Sequence, residues 1–225
     1  LDSGPLRCFE ITPDGTRIVC GTERYVRGGR GDPEQLPSRL IALVRRKHGW
    51  AAEVTHDGDG YQYEHLAFFP DGQRLAALEW SRRARGNSDI QGTTPTLSVH
   101  DAATLRPLAV QRFTAPADGL AVCGERVVVL ARPALLKIWE CPDLAGPPIE
   151  VSVAEPVTAL AADPLGRFVL TASGAVVRVW DANTWAVTRS FDWQAGEVTC
   201  LTVALEGLTA AAGTSTGKVV VWDVD

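Results

Sequence analysis

Three stretches of the chain bring together side chains whose types and spacing could do chemistry. Gly213-Thr214-Ser215-Thr216-Gly217 has the Gly-x-Ser-x-Gly spacing of a hydrolase nucleophile elbow. That chemistry needs a strand-to-helix turn, because amides at the helix N-terminus hold the oxyanion. Lys218-Val219-Val220-Val221-Trp222 follows instead, a β-branched run that does not start a helix, so a turn between strands is expected. A phosphate loop ending at Lys218 would need glycine where Ala212 stands. His56-Asp57-Gly58-Asp59-Gly60 and Glu64-His65 invite a metal, but a calcium loop would place an oxygen ligand at Tyr61 and a glutamate at Ala67 or Phe68. Arg30-Gly31-Asp32 is an adhesion tripeptide and Arg27-Gly28-Gly29-Arg30 hints at an RNA-binding tract, yet each occurs once in an acidic chain and reads as loop. His48, His56, His65 and His100 are scattered, and no pair of carboxylates is placed across a cleft. The expectation is no catalytic residue, no metal site and no cofactor.

The elements that must carry these residues repeat. Val157-Thr158-Ala159-Leu160, Asp163-Pro164-Leu165-Gly166, Phe168-Val169-Leu170-Thr171-Ala172-Ser173 and Val177-Arg178-Val179-Trp180-Asp181 form one unit. A second copy runs from Val198-Thr199-Cys200-Leu201 to Val219-Val220-Val221-Trp222-Asp223. Short runs of β-branched or small apolar residues bounded by Gly, Pro or Asp are antiparallel strands and tight turns. Taking Trp-Asp as a ruler, equivalent places fall at Val44-Arg45, His100-Asp101, Trp139-Glu140, Trp180-Asp181 and Trp222-Asp223, with steps of 56, 39, 41 and 42 residues. The period is about 40, a range that signals stacked supersecondary units, with one enlarged repeat. The first turn recurs as Thr12-Pro13-Asp14-Gly15 and Phe69-Pro70-Asp71-Gly72; proline presets φ there and glycine accepts positive φ.

At these residues the sequence resembles the WD-repeat (Trp-Asp repeat) β-propeller family over nearly its whole length. The resemblance implies an all-β fold of four-stranded antiparallel blades, strands a to d, with five blades visible at about 6–56, 63–113, 119–154, 157–192 and 198–225. It departs where Val44 and His100 replace the Trp, where Glu140 replaces the Asp, and where Gln194 stands in place of the Gly-His pair. The Asp-His-Ser-Trp hydrogen-bond network of the family is therefore expected to be incomplete. The last blade lacks a fourth strand, and residues 1–5 are too short to supply one, so the expected object is one propeller domain forming part of a larger ring, with a self-contained five-blade form as the alternative. An unclosed ring would expose an apolar blade face at each end.

The informative irregularity is length. Between strands b and c the first blade carries residues 23–38 and the second residues 81–95, read as long structureless loops standing side by side on one rim. Arg24, Tyr25, Arg27, Arg30, Trp80, Arg82, Arg83 and Arg85 are the candidate partner-binding residues, arginine as a planar donor and the aromatics as anchors. A competing basic cluster, Arg45-Arg46-Lys47, belongs to a c-to-d turn on the opposite face. Of the seven Trp, Trp139, Trp180 and Trp222 belong to the repeat, while Trp50, Trp80, Trp185 and Trp193 do not.

The net charge of -5 disfavours nucleic acid and anionic membrane as partners, and 45% hydrophobic with 22% charged residues is globular composition. Five cysteines without a Cys-x-x-Cys pair suit reduced, buried thiols, and no apolar run is long enough for a membrane helix. A cytoplasmic location is expected. The functional expectation is a non-catalytic protein-protein interaction scaffold for protein or peptide partners, as part of a longer multidomain signalling protein. The alternative is a propeller that gates or regulates an attached catalytic domain such as a kinase or protease.

Overall fold

The computed structural model describes residues 5–23, 25–27, 34–58, 62–82, 93–132, 134–141 and 143–224, with backbone alone at 25–27, 34–36, 81–82 and 93–94. Every regular element among them is a strand, as the alternation of apolar runs and turns requires. The first sheet, in the order a to d, is β1 (Leu6–Ile11), β2 (Arg17–Thr22), then past a hairpin of β3 (Tyr25–Arg27) and β4 (Glu34–Leu36), β5 (Arg39–Arg46) and β6 (Gly49–Asp57). The second is β7 (Gln62–Phe68), β8 (Arg74–Arg82), β9 (Thr93–Asp101) and β10 (Pro107–Arg112). The third is β11 (Ala117–Cys123), β12 (Arg126–Ala131), β13 (Leu135–Glu140) and β14 (Ile149–Ser152). The fourth is β15 (Ala159–Ala162), β16 (Phe168–Ser173), β17 (Val176–Asp181) and β18 (Val187–Asp192). The fifth has three described strands, β19 (Val198–Val203), β20 (Thr209–Thr214) and β21 (Val219–Asp223).

All sheet pairings are antiparallel and join consecutive strands of each blade. Two compact units divide the chain, Leu1–Pro116 with the first two sheets and Ala117–Asp225 with the other three. Within the first, Val19, Leu40 and Ala42 of one sheet pack with Tyr63, Leu66, Leu75 and Ala77 of the next. Within the second, Val128, Leu130, Leu136 and Ile138 pack against Val169 and Leu160, and Leu170, Ala172, Val177 and Val179 pack against Val198, Ala210 and Ala212. In the fourth sheet strand b, β16, is buried at every residue, while outer strand β18, paired on one side only, is almost wholly exposed.

The a-to-b turns keep glycine in the left-handed region even where the Pro-Asp-Gly pattern is lost. Gly124 in the third sheet has φ of 59°, matching 67° at Gly15 and 66° at Gly72. The ruler needs one correction. Arg17 pairs with Val44 as Arg74 pairs with Asp101 and Arg126 with Glu140, so Leu43-Val44, not Val44-Arg45, occupies the Trp-Asp place of the first sheet. A register shift between Ala42 and Leu43 accompanies that slip, in a run, Leu40 to Val44, apolar throughout.

Candidate functional site

The two enlarged b-to-c connections leave the first unit from neighbouring strands. Glu23, the residue after strand b of the first sheet, forms an antiparallel bridge with Gln62, and Gln62 pairs with Trp80 in β8. Arg7 holds the same corner, its guanidinium 3.6 Å from both Glu23 and Glu64. The first insertion is not a structureless loop: Tyr25 pairs with Leu36, Val26 with Gln35 and Arg27 with Glu34, because β-prone Tyr and Val at its start find a partner strand at its end. The second is shorter than expected, since the ladder continues through Trp80 with Pro95 and Ser81 with Thr94 to Arg82 with Thr93.

Of the candidate residues, Trp80 is half-buried at the root of the second connection. Tyr25 and Arg27 lie in β3, and Arg82 is the last residue of β8. Arg24, Arg30, Arg83 and Arg85 lie outside the described residues. Arg45-Arg46-Lys47 marks the c-to-d turn between β5 and β6, where Arg46 reaches Glu53 at 3.0 Å.

Beneath the rim lies a buried polar floor that the sequence reading missed. Glu79, 6% exposed, accepts a hydrogen bond of 2.7 Å from the hydroxyl of Ser38, which is fully buried. The Gly58 amide donates to the Ser38 carbonyl at 2.8 Å, and a Cβ at Gly58 would stand 2.7 Å from Ser38 Oγ and from Tyr63 Oη. Arg39 adds an ion pair with Asp57 at 2.6 Å, and its amide donates to Thr22 Oγ1 at 2.9 Å. A carboxylate taken out of water is costly without such donors, so these bonds fix the floor on which both connections stand. One signal was available: Glu79 is the single charge inside Leu75-Ala76-Ala77-Leu78-Glu79-Trp80. Cys8, beside this corner, is chemically quiet; burial pushes its thiol up to about 12.

His100 is held within the fold. His100 stands at a Trp place of the repeat, its Nδ1 2.9 Å from the Leu105 carbonyl and its Nε2 2.8 Å from Ser98 Oγ, which sets the tautomer with the proton on Nδ1. His56 meets it edge to face, ring centroids 5.3 Å apart. Burial, reinforced by His56, holds the His100 imidazole down at about 4 against the contrary pull of the Leu105 carbonyl. Ser215 sits in the β20 to β21 turn, its hydroxyl oxygen accepting from the Glu197 amide at 3.2 Å, so the Gly-x-Ser-x-Gly stretch here is a turn between strands. Among the described residues no group of three or more His, Cys, Asp or Glu is placed to hold a metal ion.

On the a-to-b side of the first unit, a cavity of about 340 Å³ is lined by Asp14, Thr16, Arg17, Asp71, Gln73 and Ala102 among others. Arg17 is already engaged there, donating to the Ala102 carbonyl at 2.9 Å and pairing with Glu53 at 3.2 Å. Arg126 does the same in the second unit, reaching the Ala182 carbonyl at 2.9 Å. Each arginine opens a strand b and caps the carbonyl that follows the strand-c aspartate of the neighbouring sheet, so this is a device of the repeat.

Residues 150–181 match the family described as WD domain, G-beta repeat (WD40). The matched segment spans an outer strand and the a, b and c strands after it, ending on Trp180-Asp181. The chain carries a WD repeat in a β-propeller fold. Among solved structures it is similar to the β-propeller domain of Cps50 (Swd1) from Myceliophteria thermophila, at TM-score 0.72 and 14% identity over 100% of this chain and 68% of that one. It is also similar to hydrazine synthase of Kuenenia stuttgartiensis, at TM-score 0.69 and 11% identity over 96% of this chain and 70% of that one. Identities this low speak to the fold alone. No curated protein sequence matches. Within the repeat, Trp180 Nε1 donates to Thr171 Oγ1 at 2.8 Å, a bond of the kind the family network uses.

Proposed function

We propose that this propeller is a non-catalytic scaffold that captures a protein or peptide partner on the b-to-c rim of its first unit. The supporting observation is the Glu23 to Gln62 bridge, which roots two enlarged connections on neighbouring strands of one rim. Propellers of the WD type commonly serve protein interaction, and the compact sheets of the second unit join strands b and c by short turns, as at Ser173 to Val176. Arg24, Tyr25, Arg27, Arg30, Trp80, Arg82, Arg83 and Arg85 form the contact surface, with guanidinium groups for carboxylate or phosphate and the aromatics as apolar anchors. The buried Ser38 and Glu79 pair keeps the floor rigid while the contacts above it adapt.

A net charge of -5 makes nucleic acid and anionic membrane poor partners, and reduced thiols such as Cys8 and Cys123 suit the cytoplasm. The scaffold serves as a module of a longer signalling protein. Selection of displayed peptides on the 225-residue chain tests the reading: acidic or phosphorylated sequences that compete with one another for the rim support it, and failure to select any removes it.

A further inference from the structure

We infer that Arg178 and Ser173 form a carboxylate-binding site at the b-to-c end of the fourth sheet, which Glu155 covers in the free chain and a carboxylate of a protein partner fills. The site lies within the second unit. Leu170, Ala172, Val177 and Val179 of the fourth sheet pack against the fifth, so the alternate residues Thr171 and Ser173 of β16, with Arg178 and Trp180 of β17, face the third. Thr171 stands directly opposite Arg178, and Ser173 is the diagonal neighbour. Thr171 already accepts the indole N–H of Trp180. Ser173 Oγ and Arg178 Nη1 are buried with no hydrogen-bond partner among the described residues, and Ser173 is 5% exposed.

The neighbouring sheets do not build this arrangement. In the third, Val129 and Ala131 stand where the fourth has Thr171 and Ser173, and the strand-c cation, Lys137, is paired with Glu150 of the outer strand. In the fifth, Val220 replaces the cation, and the hydroxyl at the Ser173 place, Thr214, bonds Thr216 and the Lys218 carbonyl within its own turn. Arg178 is opposite Ser190 on its outer strand, which brings no charge. The carboxylate it meets is Glu155, in the connection from the third sheet, and that bond engages Nη2 alone, at 3.2 Å.

A guanidinium is a fork for two acceptor oxygens, and a single bond at one prong leaves the other unmet. The Glu155 side chain is 54% exposed, so water competes for its carboxylate and the pair exchanges readily. A carboxylate entering here would accept from Arg178 Nη1 with one oxygen and from the Ser173 hydroxyl with the other. One cation and one hydroxyl match a singly charged group, whereas a phosphate dianion would bring more charge than they offset, next to Glu155. The partner is therefore a protein segment that presents an aspartate or glutamate side chain or a terminal carboxylate. The site is independent of the rim of the first unit.

The test is a nuclear magnetic resonance titration of the 225-residue chain with sodium acetate, against sodium chloride at matched ionic strength, following the Arg178 Nε and Gly174 amide resonances. Saturable shifts with acetate alone are expected. Ser173→Ala should weaken acetate binding about tenfold or more, the loss of one hydrogen bond to a charged group, and Arg178→Gln should abolish it. Glu155→Gln should tighten it by removing the competing carboxylate. Circular dichroism checks the fold of the Arg178 variant, and Ser173→Ala, which removes only an unpaired hydroxyl, carries the test if that variant unfolds. Two peptides identify the source: acetyl-Gly-Asp-Gly-amide, charged only at its side chain, and acetyl-Gly-Gly-Gly with a free terminal carboxylate. Binding of either that is weakened by Ser173→Ala supports the inference. Acetate that acts no differently from chloride, as when a bound water satisfies both donors, overturns it. So does binding that ignores Ser173→Ala and Arg178→Gln, or the failure of both peptides to bind.

Discussion

Trp180 and Trp222 hold the same place in consecutive sheets, but only one of these two indoles has an acceptor. Trp180 Nε1 donates to Thr171 Oγ1 at 2.8 Å, whereas Trp222 Nε1 is buried with none, because Ala212 stands at the position of Thr171. A buried donor left unpaired costs about 1–3 kcal/mol. Ala212→Ser is therefore expected to stabilise the second unit by about 1 kcal/mol, the net worth of one hydrogen bond, and Thr171→Ala to destabilise it by about 1–3 kcal/mol. Urea unfolding followed by tryptophan fluorescence reads both.

The first unit is expected to weaken between pH 6.5 and about 4 because of His100. Its folded imidazole titrates at about 4 against an ordinary 6.5, so the unfolded chain takes up the proton first as pH falls. The contribution is fully present above pH 6.5, is lost progressively down to about 4, and amounts to about 3 kcal/mol. Amide exchange in β8 and β9, measured at pH 7 and pH 4.5 and corrected for intrinsic rates, should show this loss. His100→Gln should flatten the pH dependence while lowering stability at pH 7.

Gly58→Ala should disturb the polar floor, since its new methyl would stand 2.7 Å from Ser38 Oγ and Tyr63 Oη. Overpacking of this kind costs about 1–3 kcal/mol. Thermal unfolding measures the loss, and an unchanged melting temperature would mean that the floor yields.

How much of this was legible beforehand follows from the range of each interaction. The Pro-Asp-Gly turns and the Trp-Asp endings are local, and they placed the a, b and c strands, including the three described in the last sheet. The Trp-Asp place of the first sheet slipped by one residue because Leu40 to Val44 is uniformly apolar and the period of two leaves no trace in it. The hairpin of β3 and β4 escaped because strands of three residues fall below the length at which alternation is readable. Ser38 and Glu79 are 41 residues apart, and only the packing of two sheets brings them to 2.7 Å. His100 was marked as the substitute for a Trp, but its bond to Leu105 depends on the turn that places Leu105 at φ of 55°.

Partner capture on the b-to-c rim is tested most directly by charge reversal on opposite sides of the first unit. With a peptide selected on the whole chain as probe, Arg82→Glu, Arg83→Glu and Arg85→Glu together should weaken binding by about tenfold or more, equivalent to about 1.4 kcal/mol, with the melting temperature nearly unchanged. Arg45→Glu, Arg46→Glu and Lys47→Glu together should leave binding within about twofold, as expected for charges remote from the contact. Binding that survives the first triple change and is lost on the second would place the partner on the c-to-d side and contradict the account.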